Sequence, residues 1–199
     1  MGETSMRGTV DLSRFDNSVY DPGRGFLLRA LWFCVNALFL QNPLNASSKL
    51  KVILLRLFGA KIGNGVNLKP SINVKYPWHV RIGDHAWIGE CAWLDSLAPI
   101  TIGAHVCVSQ GAYLCTGNHD WSDIAFGYLI KPITVEEGAW IGARSTILPG
   151  VTIASHSIVT AGSVLSRSTE PYMIYAGSPA TAVKQRNIRN PDDEPLKNS

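Results

Sequence analysis

The chain is poor in several features that would declare a function at once. Its 199 residues include four cysteines, Cys34, Cys91, Cys107 and Cys115, with no Cys-x-x-Cys spacing and far from the density of a disulfide scaffold. A reducing compartment is the simpler setting. There is no run of five basic residues and the net charge is a mild +3, so no nucleic-acid partner is expected. Residues 1–11 lack a charged stretch leading into an apolar core with a small-residue cleavage site; no secretory leader is read there, and a cytoplasmic location is expected. Long apolar runs are missing too. The most apolar window, residues 26–40, contains Arg29 and Asn36 and falls short of the about 20 residues a membrane span needs.

What is present is a period. From Ile62 to Leu165 an aliphatic residue returns every six positions: Ile62, Leu68, Val74; Ile82, Ile88, Leu94; Ile102, Val108, Leu114; then Val135, Ile141, Ile147, Ile153, Val159, Leu165. A helix repeats its apolar residues at three and four and a strand at two, so a sustained six fits neither element alone. It fits a coil of short strands, a parallel β-solenoid. Four places after most aliphatics stands a small residue, among them Ala86, Ala92, Ala112, Ala139, Ser145, Ser157 and Ser163, suited to filling corners. The early coils repeat every 20 residues, as Ile62, Ile82 and Ile102 do, whereas the six-step from Val135 onward is unbroken. Residues 20 apart, such as Trp93 and Tyr113 or Asp95 and Cys115, should then be neighbours on adjacent coils.

Three segments follow: an N-terminal arm with capping helices (1–60), the solenoid (61–168) with an inserted loop at 116–132, and a tail (169–199) read as containing a short helix. The first helix lies in residues 26–40 and stops before Pro43. The second is capped by Ser47 or Ser48 and closed by Gly59, with Leu50, Ile53, Leu54, Leu57 and Phe58 as its apolar face and Lys49, Lys51 and Arg56 on the rest. Both helices can cover the open end of the solenoid, and the same apolar, basic surface can rest on a membrane.

By strand alternation, Trp87, Trp93, Cys107, Tyr113 and Trp140 point outward. Exposed aromatics call for a partner: a subunit interface, or a platform on which a sugar stacks. The frame breaks once, between Leu114 and Val135, and a single excursion from a rigid scaffold is where a site is expected. His119 opens that excursion between Asn118 and Asp120, while His79, His85, His105 and His156 fall at bulges, corners and turns.

These residues resemble a family. The hexads, the loop Thr116-Gly117-Asn118-His119-Asp120, the run Ala139-Trp140-Ile141-Gly142-Ala143-Arg144 with Ile147-Leu148-Pro149-Gly150-Val151, and the tail Tyr175-Ala176-Gly177-Ser178-Pro179-Ala180 are similar to those of the hexapeptide-repeat acyltransferases. The nearest likeness is to exopolysaccharide acetyltransferases of the colanic-acid type, within the galactoside, maltose and nodulation group. The resemblance spans roughly residues 15–189. It implies a mainly β fold, a left-handed parallel β-helix of triangular section with N-terminal helices and a short C-terminal helical tail. It also implies a homotrimer with sites between subunits, acetyl-CoA as donor, no metal, and a sugar or lipid-linked saccharide as acceptor.

On this resemblance His119 is the general base that takes the acceptor's proton, a task suited to a side chain that titrates near neutrality. Asp95 matches an acidic residue that binds the acceptor, and is otherwise a surface carboxylate; Asn118 and Asp120 beside His119, and Trp93, are the further acceptor-binding candidates. Ala143, Ala161 and Gly162 match places where backbone meets the pantetheine arm, since close approach needs a missing side chain. Trp140 flanks that arm, Arg167 and Lys184 match cations near the coenzyme phosphates, and Arg186 is a further candidate on the same tail; apart from the resemblance they read as a solvated basic tail. The activity implied is O-acetyl transfer to a sugar hydroxyl in exopolysaccharide or capsule assembly. N-acetylation of an amino sugar is the alternative. A γ-class carbonic anhydrase shares the solenoid but needs three zinc-binding histidines, and His85 and His105 have no evident third. A non-catalytic solenoid would carry regular polar ladders such as repeated threonines on one face, and none is read here.

Overall fold

The structure is a computed structural model and describes residues 8–18 and 20–190. Three parallel sheets form the sides of a prism. The first stacks Lys61–Ile62, Val80–Ile82, Ile100–Ile102, Ile133–Val135 and Thr152–Ile153. The second stacks Asn67–Leu68, Trp87–Ile88, Cys107–Val108, Trp140–Ile141 and Ile158–Val159, and is extended by Met173–Gly177 and Ala180–Gln185. The third stacks Asn73–Val74, Trp93–Asp95, Tyr113–Cys115, Thr146–Ile147 and Val164–Leu165. The chain is therefore a parallel β-solenoid, as its period indicates. Partners are 20 residues apart at first (Lys61 with Arg81, Trp93 with Tyr113) and 18 apart later (Thr134 with Thr152, Trp140 with Ile158).

Each aliphatic of the six-step is buried, and so are the alanines and serines at the corners. A buried hydroxyl needs an acceptor. Ser145 Oγ donates to the Thr160 carbonyl at 2.9 Å and Ser157 Oγ to that of Ala154 at 2.7 Å. The corners turn through left-handed residues, including His85 (φ 57°), His105 (φ 56°) and His156 (φ 58°). Their rings recover part of the strain by stacking: His85 on His105 at 5.3 Å, and His156 on Tyr172 at 4.8 Å.

The first coil has no coil beneath it, and side chains satisfy its backbone instead. Helix α1 (Phe26–Val35) runs into a π-helical turn, Asn36–Leu40, and helix α2 (Ser48–Leu57) follows. Trp32 Nε1 donates to the Val74 carbonyl at 2.9 Å, and Asn36 Oδ1 accepts from the Val74 amide at 3.3 Å. Ser48 Oγ accepts from Leu68 N at 2.9 Å, and Arg56 Nη2 donates to Ile62 O at 2.8 Å. The capping role is thus built from polar side chains on both helices.

Three expectations are corrected. On α2 the buried residues are Lys51 and Leu55, followed by Phe58, whereas Leu50, Ile53 and Leu57 face outward. The reason is Lys51: its ammonium donates to the carbonyls of Asn45 (2.6 Å) and Leu68 (3.4 Å), so a lysine can sit beneath the helix, and burial lowers its pKa. The tail, read as helical, is through residue 185 an antiparallel hairpin of Met173–Gly177 with Ala180–Gln185 turning at Ser178 and Pro179; residues 191–199 lie outside the described residues. β-branched and aromatic residues such as Ile174, Tyr175, Thr181 and Val183 suit strands, and an open sheet edge was available to receive them. Finally, Thr101, Thr134 and Thr152 do align in one outward row of the first sheet.

Candidate active site

The excursion after Leu114 is a hairpin. Gly117–His119 pairs antiparallel with Tyr128–Ile130, setting His119 opposite Tyr128. Its tip is tied by carboxylates: Asp120 Oδ1 accepts from Ser122 N at 2.9 Å and Asp123 Oδ1 from Ala125 N at 3.1 Å. The Ser122 hydroxyl also donates to Asp120, and these bonds lower the Asp120 pKa. Asn118 Oδ1 accepts the amide of His119 at 2.8 Å. Asn118 and Asp120 are therefore engaged in shaping the hairpin.

His119 is half-buried and held from several sides. Its Nδ1 lies 2.8 Å from the Phe126 carbonyl, which can only accept, so Nδ1 carries the proton and Nε2 presents a free lone pair. Phe126 has φ 54°, an unusual state for a bulky residue, and its ring stacks on the imidazole at 4.4 Å and 11°. Tyr128 stands at 5.0 Å and Phe15 at 5.6 Å. Phe15 and Tyr20 come from the N-terminal arm, which sequence reasoning assigned only to a cap. Tyr20 packs on Tyr128 at 5.8 Å and donates its hydroxyl to Leu97 O at 2.8 Å. Its pKa is raised, first by burial and then by the neighbouring Tyr76 and Asp95.

Asp95 is not a surface carboxylate. It is 7% exposed, with Oδ2 accepting the Tyr113 hydroxyl at 3.0 Å and Oδ1 3.4 Å from Lys75 Nζ. Oδ1 is sealed from solvent and has no hydrogen-bond donor among the described residues; its charge is met by the Lys75 ammonium. Burial, joined by Cys115 and the Asp95 charge, keeps the Tyr113 phenol protonated far into the alkaline range. Trp93 stacks on Tyr113 at 4.7 Å, as their spacing requires. The Asp95 backbone is fixed by a buried residue three positions before His119: Thr116 Oγ1 donates to the Asp95 carbonyl at 2.6 Å and accepts from Ala98 N at 3.0 Å. At Gly117 the missing side chain leaves room for the end of the Leu97 side chain where the hairpin leaves the coil.

The small residues assigned to the donor meet at a different corner. Gly162 N donates to Ala143 O at 2.8 Å, and a Cβ on Gly142 would stand 2.5 Å from Ala161 N, so successive turns touch backbone to backbone. Trp140, on the strand entering that corner, donates Nε1 to Ser109 Oγ at 2.8 Å and rests over Cys107, whose thiol pKa is raised by burial. The three cations do not gather there in a single chain. Arg167 follows the strand that leaves the corner, Lys184 stands on the outer hairpin strand, and both are exposed. Arg186 Nη1 donates to the carbonyls of Gly138 (2.9 Å) and His156 (3.0 Å), stapling the hairpin to another corner. The outward aromatics are also divided, with Trp87 and Trp140 in one row of the second sheet and Trp93 and Tyr113 in a row of the third.

Residues 132–167 match the family model described as bacterial transferase hexapeptide (six repeats). Over 177 residues the chain is 37% identical to the putative colanic acid biosynthesis acetyltransferase WcaF of Escherichia coli (strain K12), covering 88% of this chain and 97% of that one. It is 33% identical over 95 residues to the galactoside O-acetyltransferase of the same organism, covering 45% and 46% of the two chains. Among solved structures, a hexapeptide-repeat acetyltransferase of Vibrio cholerae complexed with acetyl coenzyme A is similar at a TM-score of 0.73 and 26% identity, over 81% of this chain and 88% of that chain. A likeness that runs along nearly the whole of an acetyltransferase, on coils whose register repeats the same period, makes this chain a member of the hexapeptide-repeat acetyltransferase family.

Proposed function

We propose that this enzyme carries an acetyl group from acetyl-CoA to a saccharide hydroxyl, in exopolysaccharide or capsule assembly, with His119 as general base. The observation that carries the reading is the hydrogen bond from Nδ1 to the Phe126 carbonyl, which leaves Nε2 free to accept a proton. As the acceptor oxygen attacks the thioester carbonyl, its proton passes to Nε2. When the carbon–sulfur bond breaks, the thiolate leaves and takes that proton, so the imidazole is regenerated. Asp95, oriented by Tyr113 and Lys75, is the carboxylate assigned to a hydroxyl of the acceptor, and Trp93 supports its ring. The backbone corner of Ala143, Ala161 and Gly162 with Trp140 suits the pantetheine arm, and Arg167 and Lys184 are the cations left for the coenzyme phosphates. Four free cysteines fit a reducing, cytoplasmic setting.

A homotrimer fits the division of the aromatics. An isologous dimer apposes one patch to itself, whereas a closed ring brings two different faces together, and the aromatic rows do lie on two faces. The test of the chemistry is His119→Ala, followed by thiol release from acetyl-CoA over a panel of sugars and amino sugars. Turnover should fall by ~10²–10⁴ with the KM for acetyl-CoA unchanged. Near-normal turnover would place the base elsewhere, and activity confined to amino sugars would replace O- by N-acetylation.

A further inference from the structure

From residue 22 to residue 83 the sequence contains nine Lys and Arg residues and no Asp or Glu; the other nine basic residues share the rest of the chain with all 15 acidic ones. This acid-free stretch comprises both helices of the cap and the first coil. On α1 the outward arc is apolar throughout: Phe26 is 72% exposed, Leu27 82% and Phe33 70%, with Leu31 between them. A helix that is apolar on all sides needs cover on all sides, and the solenoid covers only the side bearing Trp32. On α2 the outward Ile53 and Leu57 are bordered by Lys49 and Arg56. Where α1 meets the third sheet, Phe26, Phe33 and Trp93 line a cleft of about 400 Å³ together with Lys75 and Arg29, whose Nε is buried without a hydrogen-bond partner.

We propose that this end of the molecule docks on an anionic lipid bilayer, with the outer faces of α1 and α2 lying in the interface. No helix among the described residues is long and apolar enough to cross a membrane. A short helix with an apolar outer arc and cations at its border is instead the form that settles at the headgroup boundary, its apolar side chains among acyl carbons and its cations among phosphates. Charge complementarity selects this occupant over a second copy paired through the same face, because like-on-like contact would set Lys49 and Arg56 of one copy against those of the other with no Asp or Glu on either helix. The proposal is independent of the chemistry at His119.

The test uses the full chain and phosphatidylcholine vesicles prepared with and without phosphatidylglycerol. The protein should sediment with the anionic vesicles only, and binding should weaken at least ~10-fold as salt rises to about 1 M and the Debye length shrinks to about 3 Å. Leu27→Glu/Leu57→Glu should remove binding with particle mass and melting temperature unchanged, since both side chains point away from the core, and Lys49→Glu alone should weaken it. No sedimentation at low salt overturns the proposal, as does binding that survives the double substitution. A double variant of reduced particle mass also overturns it, by assigning the face to a subunit contact.

Discussion

Tyr113 reaches from one coil to the carboxylate of Asp95 on the coil before it, its hydroxyl 3.0 Å from Oδ2, while Lys75 stands 3.4 Å from Oδ1. The carboxylate is thus oriented before any acceptor arrives. Asp95→Asn should lower kcat/KM for the saccharide by ~10–10², the worth of a hydrogen bond to a charged group, and leave the KM for acetyl-CoA unchanged. Steady-state kinetics with each substrate varied in turn would show it; an unaltered acceptor efficiency removes Asp95 from the site.

The phenols of Tyr20 and Tyr113 have folded pKa values raised above the ordinary 10.0, chiefly by burial. A raised folded value means that the native state holds its proton more tightly than the unfolded chain. The stability this contributes is complete below about pH 10 and is lost as pH climbs past the unfolded value toward the folded one. Urea midpoints should therefore drop above pH 10, and Tyr20→Phe should flatten the drop. Equal slopes in the two proteins would contradict the burial of Tyr20.

Two glycines at the donor corner should behave differently. A Cβ at Gly142 would meet the Ala161 backbone nitrogen at 2.5 Å, and backbone cannot swing aside as a side chain can. Gly142→Ala should cost at least about 1–3 kcal/mol of unfolding free energy, the usual toll of overpacking. Gly162 has φ +70° and open space around its missing Cβ, so Gly162→Ala should cost only about 1–2 kcal/mol of left-handed strain. On the reading above, that variant should fold and yet bind acetyl-CoA more weakly. Denaturant titration separates the two.

Phe15 lies 5.6 Å from His119 and 5.2 Å from Tyr128, far from the core of the coils. Phe15→Ala should loosen the imidazole and lower kcat roughly 10- to 100-fold, the scale of a small misplacement of a reacting group. Melting temperature should barely move, because Phe15 is half-buried on the hairpin and makes no part of the buried core. A fall in stability with unchanged turnover would make Phe15 a packing residue only.

The trimer is checked by light scattering, which should report three chains per particle at micromolar concentration, with Trp140→Asp or Trp93→Asp shifting the mass downward. A fully active single-chain particle would contradict it.

The coils were legible in the sequence because their constraint is local and repeated: a buried aliphatic every six residues is visible without knowing its neighbours. The stack of Trp93 on Tyr113 followed from the same arithmetic. His119 was legible because it stands where the arithmetic stops. The second layer of the site was not. Tyr20 bonds to Leu97 across 77 positions, and no period marks Phe15 or Tyr20 as neighbours of a hairpin a hundred residues away. Lys51 misled for another reason, since a lysine is read as surface until the two carbonyls that receive its ammonium are known. The threonine row escaped because the excursion separates Thr101 from Thr134 by 33 positions where the other coils use 18 or 20.

The final strand, Ala180–Gln185, runs against the direction of every other rung in its sheet. A pile of like-directed rungs is in principle a polymer with no preferred length, since each top rung is a template for another. Here the last rung among the described residues has its direction reversed, so the run of like-directed rungs ends on it. The hairpin therefore covers the Ile158–Val159 edge, which would stand as a template for pairing without it.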